Sequence, residues 1–65
     1  MNLPDEIESQ QGALKAEWLS KKLNISTKTL YRLANQGSLP CIRIGGSIRF
    51  NPKCVAEWLR RRMTT

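Results

Sequence analysis

Histidine is absent, cysteine occurs only twice, and five acids stand against 11 basic residues. Each scarcity closes off some chemistry. Cys41 and Cys54 have no CxxC neighbour and no histidine to complete a ligand set, so neither zinc nor any other metal or cofactor is expected. Few acids, no histidine and no nucleophile beside a visible base argue against an enzyme. Two cysteines are too few for the disulfide-rich secreted class. Their spacing leaves a mutual disulfide open, and the simpler reading makes both small, partly buried residues. No run approaches the ~18 apolar residues of a membrane span, and the acidic, polar start is unlike a signal peptide. A cytoplasmic, reducing location is therefore expected. With 65 residues there is room for one small domain, and every apolar side chain must share its core.

What is present is positive charge, unevenly placed. Asp5, Glu6 and Glu8 fall in the first twelve residues, which contain no Lys or Arg, whereas all 11 basic residues follow, with only Glu17 and Glu57 opposing them. Eleven cations less two acids leave +9 on that part of the chain. Such an excess suits a polyanionic partner, nucleic acid first and an anionic membrane surface second, although basic surfaces also serve solubility. The opening stretch is acidic and carries only two aliphatic residues after Met1, too little to offset the entropy of ordering it. Residues 1–12 are accordingly expected to be a flexible acidic arm, residues 13–62 the folded domain, and residues 63–65 a tail.

Within the domain, Leu14, Trp18, Leu19 and Leu23 have helical spacing, which predicts a first helix from Leu14 to Leu23. Asn24-Ile25-Ser26 then links it tightly to a second helix beginning at Thr27, with Ser26 as N-cap and Gly37 followed by Pro40 as the stop. Two short helices joined so closely must cross steeply, which is the helix-turn-helix arrangement. Leu30, Leu33 and Ala34 form the apolar side of the second helix. Its other side carries Thr27, Lys28, Tyr31, Arg32 and Asn35, groups that meet phosphates and base edges. The alternative is an ordinary solvated face.

Beyond Gly37 the period changes to two. Ile42, Ile44, Ile48 and Phe50 alternate with Arg43 and Arg49 around Gly45-Gly46-Ser47, the pattern of a hairpin. A two-residue turn would place charged and apolar side chains on one face. A three-residue turn pairs Ile44 with Ile48, Arg43 with Arg49 and Ile42 with Phe50, keeping one face apolar, and is the expected register. It sets two arginines opposite each other, which an anion over that face would relieve; solubilisation of the ribbon is the other reading. Asn51-Pro52 then starts a third helix that turns Val55, Trp58 and Leu59 inward and ends in Arg60-Arg61-Arg62, suited to the negative end of the helix dipole.

Taken together, Ala16-Glu17-Trp18-Leu19, Leu23-Asn24-Ile25-Ser26, Leu30-Tyr31-Arg32-Leu33, Gly37-Ser38-Leu39-Pro40 and Arg43-Ile44-Gly45-Gly46 resemble the excisionase family of winged helix-turn-helix proteins, and also the DNA-binding head of MerR-type regulators. The resemblance covers about Leu14 to Leu59, departing at Leu14, where relatives usually carry a Ser or Thr cap. It implies a mainly α fold with a β-hairpin, in order helix, turn, helix, hairpin, helix. It further implies that the second helix enters the major groove of double-stranded DNA while the wing, with Arg43, Gly45, Gly46, Ser47 and Arg49, touches the minor groove or backbone. Family members include excision cofactors, which bind cooperatively, bend DNA and direct an integrase, and small transcriptional regulators. MerR-type regulators continue into a coiled coil and effector domain, so the short chain favours an excisionase-like accessory role, with a MerR-like regulator as the alternative and a protein-binding adapter as a third reading.

Overall fold

The computed structural model describes residues 2–63. Four helices and a three-stranded antiparallel sheet follow in the order α1 (Leu3–Glu8), β1 (Leu14–Lys15), α2 (Ala16–Leu23), α3 (Thr27–Asn35), β2 (Ile42–Ile44), β3 (Ser47–Phe50) and α4 (Pro52–Arg62). The strands lie side by side as β1-β3-β2. This is a winged helix-turn-helix, with α2 and α3 as the helical pair and β2–β3 as the wing.

The acidic start is a helix, not a flexible arm. Asn2 caps it, its Oδ1 accepting from the Asp5 amide at 3.0 Å, and Asp5 and Glu6 occupy the first turn, where the helix dipole favours negative charge. Ile7 is wholly buried, Pro4 is buried, and Leu3 packs against the same core, so two aliphatic residues suffice once α4 supplies the other wall. The folded unit therefore includes Asp5, Glu6 and Glu8, and its net charge is +6 rather than +9. Of the expected tail, Met63 caps α4, while Thr64 and Thr65 lie outside the described residues.

The expected first helix also begins later. Leu14 and Lys15 form β1, and α2 starts at Ala16 with Lys15 at the N-cap, where no side-chain bond is made. Leu14 is buried opposite Phe50 in the ladder, and a buried strand position outweighs its helical spacing with Trp18. Asn24 ends α2 in the left-handed region at φ 58°, a conformation that Asn tolerates better than most residues. Ser26 Oγ then accepts from the Thr29 amide at 3.1 Å, opening α3 as its sequence predicts. Gly37, at φ 77°, closes α3 in a Schellman arrangement: the Ser38 amide donates to the Leu33 carbonyl and the Gly37 amide to Ala34, both at 3.1 Å. The core shared by these elements includes Ile7, Leu14, Leu19, Leu30, Leu39, Phe50 and Val55.

The wing register differs from the expected one. Ile44 pairs with Ser47, Arg43 with Ile48 and Ile42 with Arg49, around a two-residue Gly45-Gly46 turn. Gly45 has φ 60°, the positive value that a type II′ turn requires at its first central position. Parity predicted otherwise because it assumed that all four apolar wing residues share a buried face. Instead β1 anchors β3, placing Leu14 and Phe50 inward with Ile48 on their side, while Ile42 and Ile44 face outward and remain 39% and 60% exposed. Near the turn the ribbon passes beyond the core, so no buried face there enforces the alternation.

Cys54 is exposed and Cys41 half-buried, and both are free thiols, which corrects the expectation that both are partly buried. Among the described residues no helix is long and apolar enough to cross a membrane.

Candidate nucleic-acid interface

Helix α3 turns Leu30 and Ala34 into the core and leaves Lys28, Tyr31, Arg32 and Asn35 exposed, with Thr27 half-buried at its start. Tyr31 keeps 40% of its surface in solvent, an exposed large side chain on this face. Lys28 and Arg32 stand one helical turn apart and, with Thr29, line a cleft of about 300 Å³. A larger hollow of about 480 Å³ lies elsewhere, between the segment after α1, Ile42 and the start of α4. Its lining includes Glu8 and lacks the cation density of α3.

The wing does not present its arginines together. Alternation puts Arg43 on the side of Ile48 and Phe50, and Arg49 on the opposite side with Ile42, Ile44 and Ser47. The expected Arg43–Arg49 pair over one anion is thus replaced by two separate arrangements. Arg43 Nη2 donates to Asn35 Oδ1 at 3.0 Å, tying the wing to the last turn of α3. Arg49, half-buried in the central strand, faces Lys15 of β1 across the ladder and gives Nη1 to the Ile48 carbonyl at 2.9 Å. Gly45, Gly46 and Ser47 form the exposed tip.

Sequence reasoning misses one of these positions, Lys15, and the partner of another, Asn35. Lys15 went unnoticed because β1 was read as helix, although Leu14-Lys15 already has the parity of Phe50-Arg49. Asn35 was read as a free polar group, and its partner is eight residues distant and beyond a reversal of the chain.

Ion pairing sharpens the map. Among the described residues, the four ion pairs are Lys22–Glu6, Arg60–Asp5, Arg60–Glu8 and Arg61–Glu57. None involves Lys28, Arg32, Arg43 or Arg49. Arg60 meets Asp5 at 2.7 Å and Glu8 at 2.6 Å, and hydrogen bonds to Glu8 and then Asp5 hold its pKa above the ordinary value for arginine. Arg62 lies over the Trp58 ring, 4.4 Å from its centroid, and donates to Ser38 Oγ at 2.6 Å, joining the end of α4 to the chain leaving α3. Acids of α1 and α4 thus pair with cations on α2 and α4, and the cations of α3 and the wing are left without a carboxylate.

Fold and charge together define a winged helix-turn-helix module whose second helix and wing carry uncompensated cations. The chain belongs to the helix-turn-helix domain family, whose model matches residues 14–63, that is, from β1 to the end of α4 and without α1. It is also similar to two proteins from Mycobacterium tuberculosis strains CDC 1551 and H37Rv, named "Putative DNA-binding protein MT0521" and "Putative DNA-binding protein Rv0500A". Each is 40% identical over 37 residues, covering 57% of this chain and 47% of the relative. The chain therefore spans about half the length of the curated relatives it matches. No solved structure matches it significantly.

Proposed function

We propose that the protein binds double-stranded DNA sequence-specifically, with α3 entering the major groove and the wing lying against the neighbouring backbone or minor groove. The observation that carries this reading is the exposed face of α3, where Lys28, Tyr31 and Arg32 stand free of any acid beside an Arg43 already tethered to Asn35. Arg32 offers a fork able to meet guanine at two atoms, while Thr27, Lys28 and Tyr31 suit phosphates and base edges. Gly45, Gly46 and Ser47 form a slim tip that lets backbone approach a groove closely. Family membership and the names of the two relatives support DNA as the partner.

The finer reading is an excisionase-like accessory factor that binds and bends DNA beside an integrase, on the strength of the motifs from Leu14 to Leu59. A domain this small offers a modest interface, so useful specificity calls for several copies on adjacent sites or a partner protein. A MerR-like transcriptional regulator is the competing role. Gel-shift titration with bend analysis on DNA from the chain's genomic neighbourhood separates them. Cooperative complexes on bent DNA are expected, with affinity falling steeply as salt rises because each neutralised phosphate releases counterions. A single non-cooperative complex on straight DNA favours the regulator, and no duplex binding at low salt ends the DNA reading altogether.

A further inference from the structure

We propose that Lys15 and Arg49 together form a phosphate site on the outer face of the sheet, and that its ligand is a backbone phosphate of the duplex; the inference rests on the DNA reading above. The two residues are direct partners in the antiparallel β1–β3 ladder, so their side chains rise from the same face. Like charges directly opposed in a ladder repel. Among the described residues neither forms an ion pair: Asp5, Glu6, Glu8 and Glu57 are engaged with other cations, and Glu17, two residues from Lys15 in the first turn of α2, pairs with neither. Arg49 spends one donor on the Ile48 carbonyl, which fixes its head and leaves its other N–H groups available. Being half-buried, its charge is less screened than that of a lysine in open solvent. Ile42 is its ladder partner on the far strand. An anion between Lys15 and Arg49 converts the repulsion into two attractions.

The wing's geometry favours a DNA backbone as the source of that anion. Arg43 leaves the ribbon on one face and Arg49 with Lys15 on the other, so cations line both sides of a hairpin that ends in Gly45-Gly46. A ribbon charged on both faces suits a position between two phosphate strands.

The signature is a pair of effects with opposite sign. Lys15→Ala removes an exposed side chain and the repulsion, so thermal melting of the free protein at low salt should rise by a few degrees. The same change should weaken all duplexes several-fold and flatten the salt dependence of binding by about one unit. Inorganic phosphate, compared with chloride at equal ionic strength, should stabilise the wild-type protein more than Lys15→Ala. Lys21→Ala, which removes an exposed lysine outside the ladder, should reproduce none of the three effects. The proposal is overturned if Lys15→Ala leaves duplex affinity and salt slope unchanged, or if Lys21→Ala matches it. A phosphate-specific stabilisation without any change in duplex binding assigns the site to free phosphate and overturns the DNA ligand. Loss of the DNA reading itself is recognised separately, by a wild-type protein that binds no duplex at all.

Discussion

The α1–α4 side of the molecule and the α3–wing side hold the same kinds of cation in opposite circumstances. On the first, Arg60 is clasped by Asp5 and Glu8, Arg61 by Glu57, and Lys22 reaches Glu6 while lying 5.6 Å from the centre of the Trp18 ring. On the second, Lys28, Arg32, Arg43 and Arg49 have neutral partners or none among the described residues. Helix α1 accounts for much of the difference. It lies outside the family match, buries Ile7 against the common core and carries three of the five acids. A cation beside a carboxylate has its field cancelled locally, whereas an unpaired one projects it toward a polyanion. Net charge alone would have spread the attraction over the whole surface. Pairing weakens it on the α1–α4 side, although Lys21, Lys53 and Arg62 also form no ion pair among the described residues.

That division can be broken from either side, and the largest effect should come from the paired one. Ile7→Ala empties a fully buried position and should cost about 2–5 kcal/mol of stability, measured by denaturant unfolding, while the remaining folded protein keeps its duplex affinity. If melting is unchanged, α1 is not part of the cooperative unit and the acidic segment reverts to an arm. Next in size, Arg32→Ala should leave melting nearly untouched but reduce discrimination between specific and random duplexes by roughly 1–3 kcal/mol. Equal weakening of both duplexes would assign Arg32 to phosphate contact and move base reading elsewhere on α3.

A smaller effect probes the tie between helix and wing. Asn35→Ala and Arg43→Ala should be non-additive in duplex binding, with a coupling of about 0.5–1 kcal/mol, because the first change releases the guanidinium that the second removes. Strict additivity would mean that the 3.0 Å contact is not maintained on DNA. The smallest effect belongs to Arg60→Ala. Its bridges are exposed, so melting should drop slightly at low salt and the difference should fade as salt rises. A drop as large as that of Ile7→Ala would show that charge rather than burial docks α1.

The sequence by itself determined the elements whose signals are local. Ser26 and Asn51 begin α3 and α4 by bonding amides two or three residues on, Gly37 ends α3 because it adopts positive φ, and Gly45-Gly46 locates the wing. The cationic face of α3 was legible for the same reason, since helical spacing assigns its residues to sides without reference to the rest of the molecule. Helix α1 went unread: its start at Asn2, Pro4, Asp5 and Glu6 is a local signal, but the shortage of apolar surface pointed to an arm instead. Tertiary structure alone decided whether that surface had a wall to meet, and α4 provides one. It also decided the wing register, because β1 pins Phe50 inward from more than thirty residues away, and with it which cations become neighbours. Asn35 with Arg43 and Lys15 with Arg49 are pairs set by the packing of separate elements, and no local hydrogen bond or periodicity carries that information.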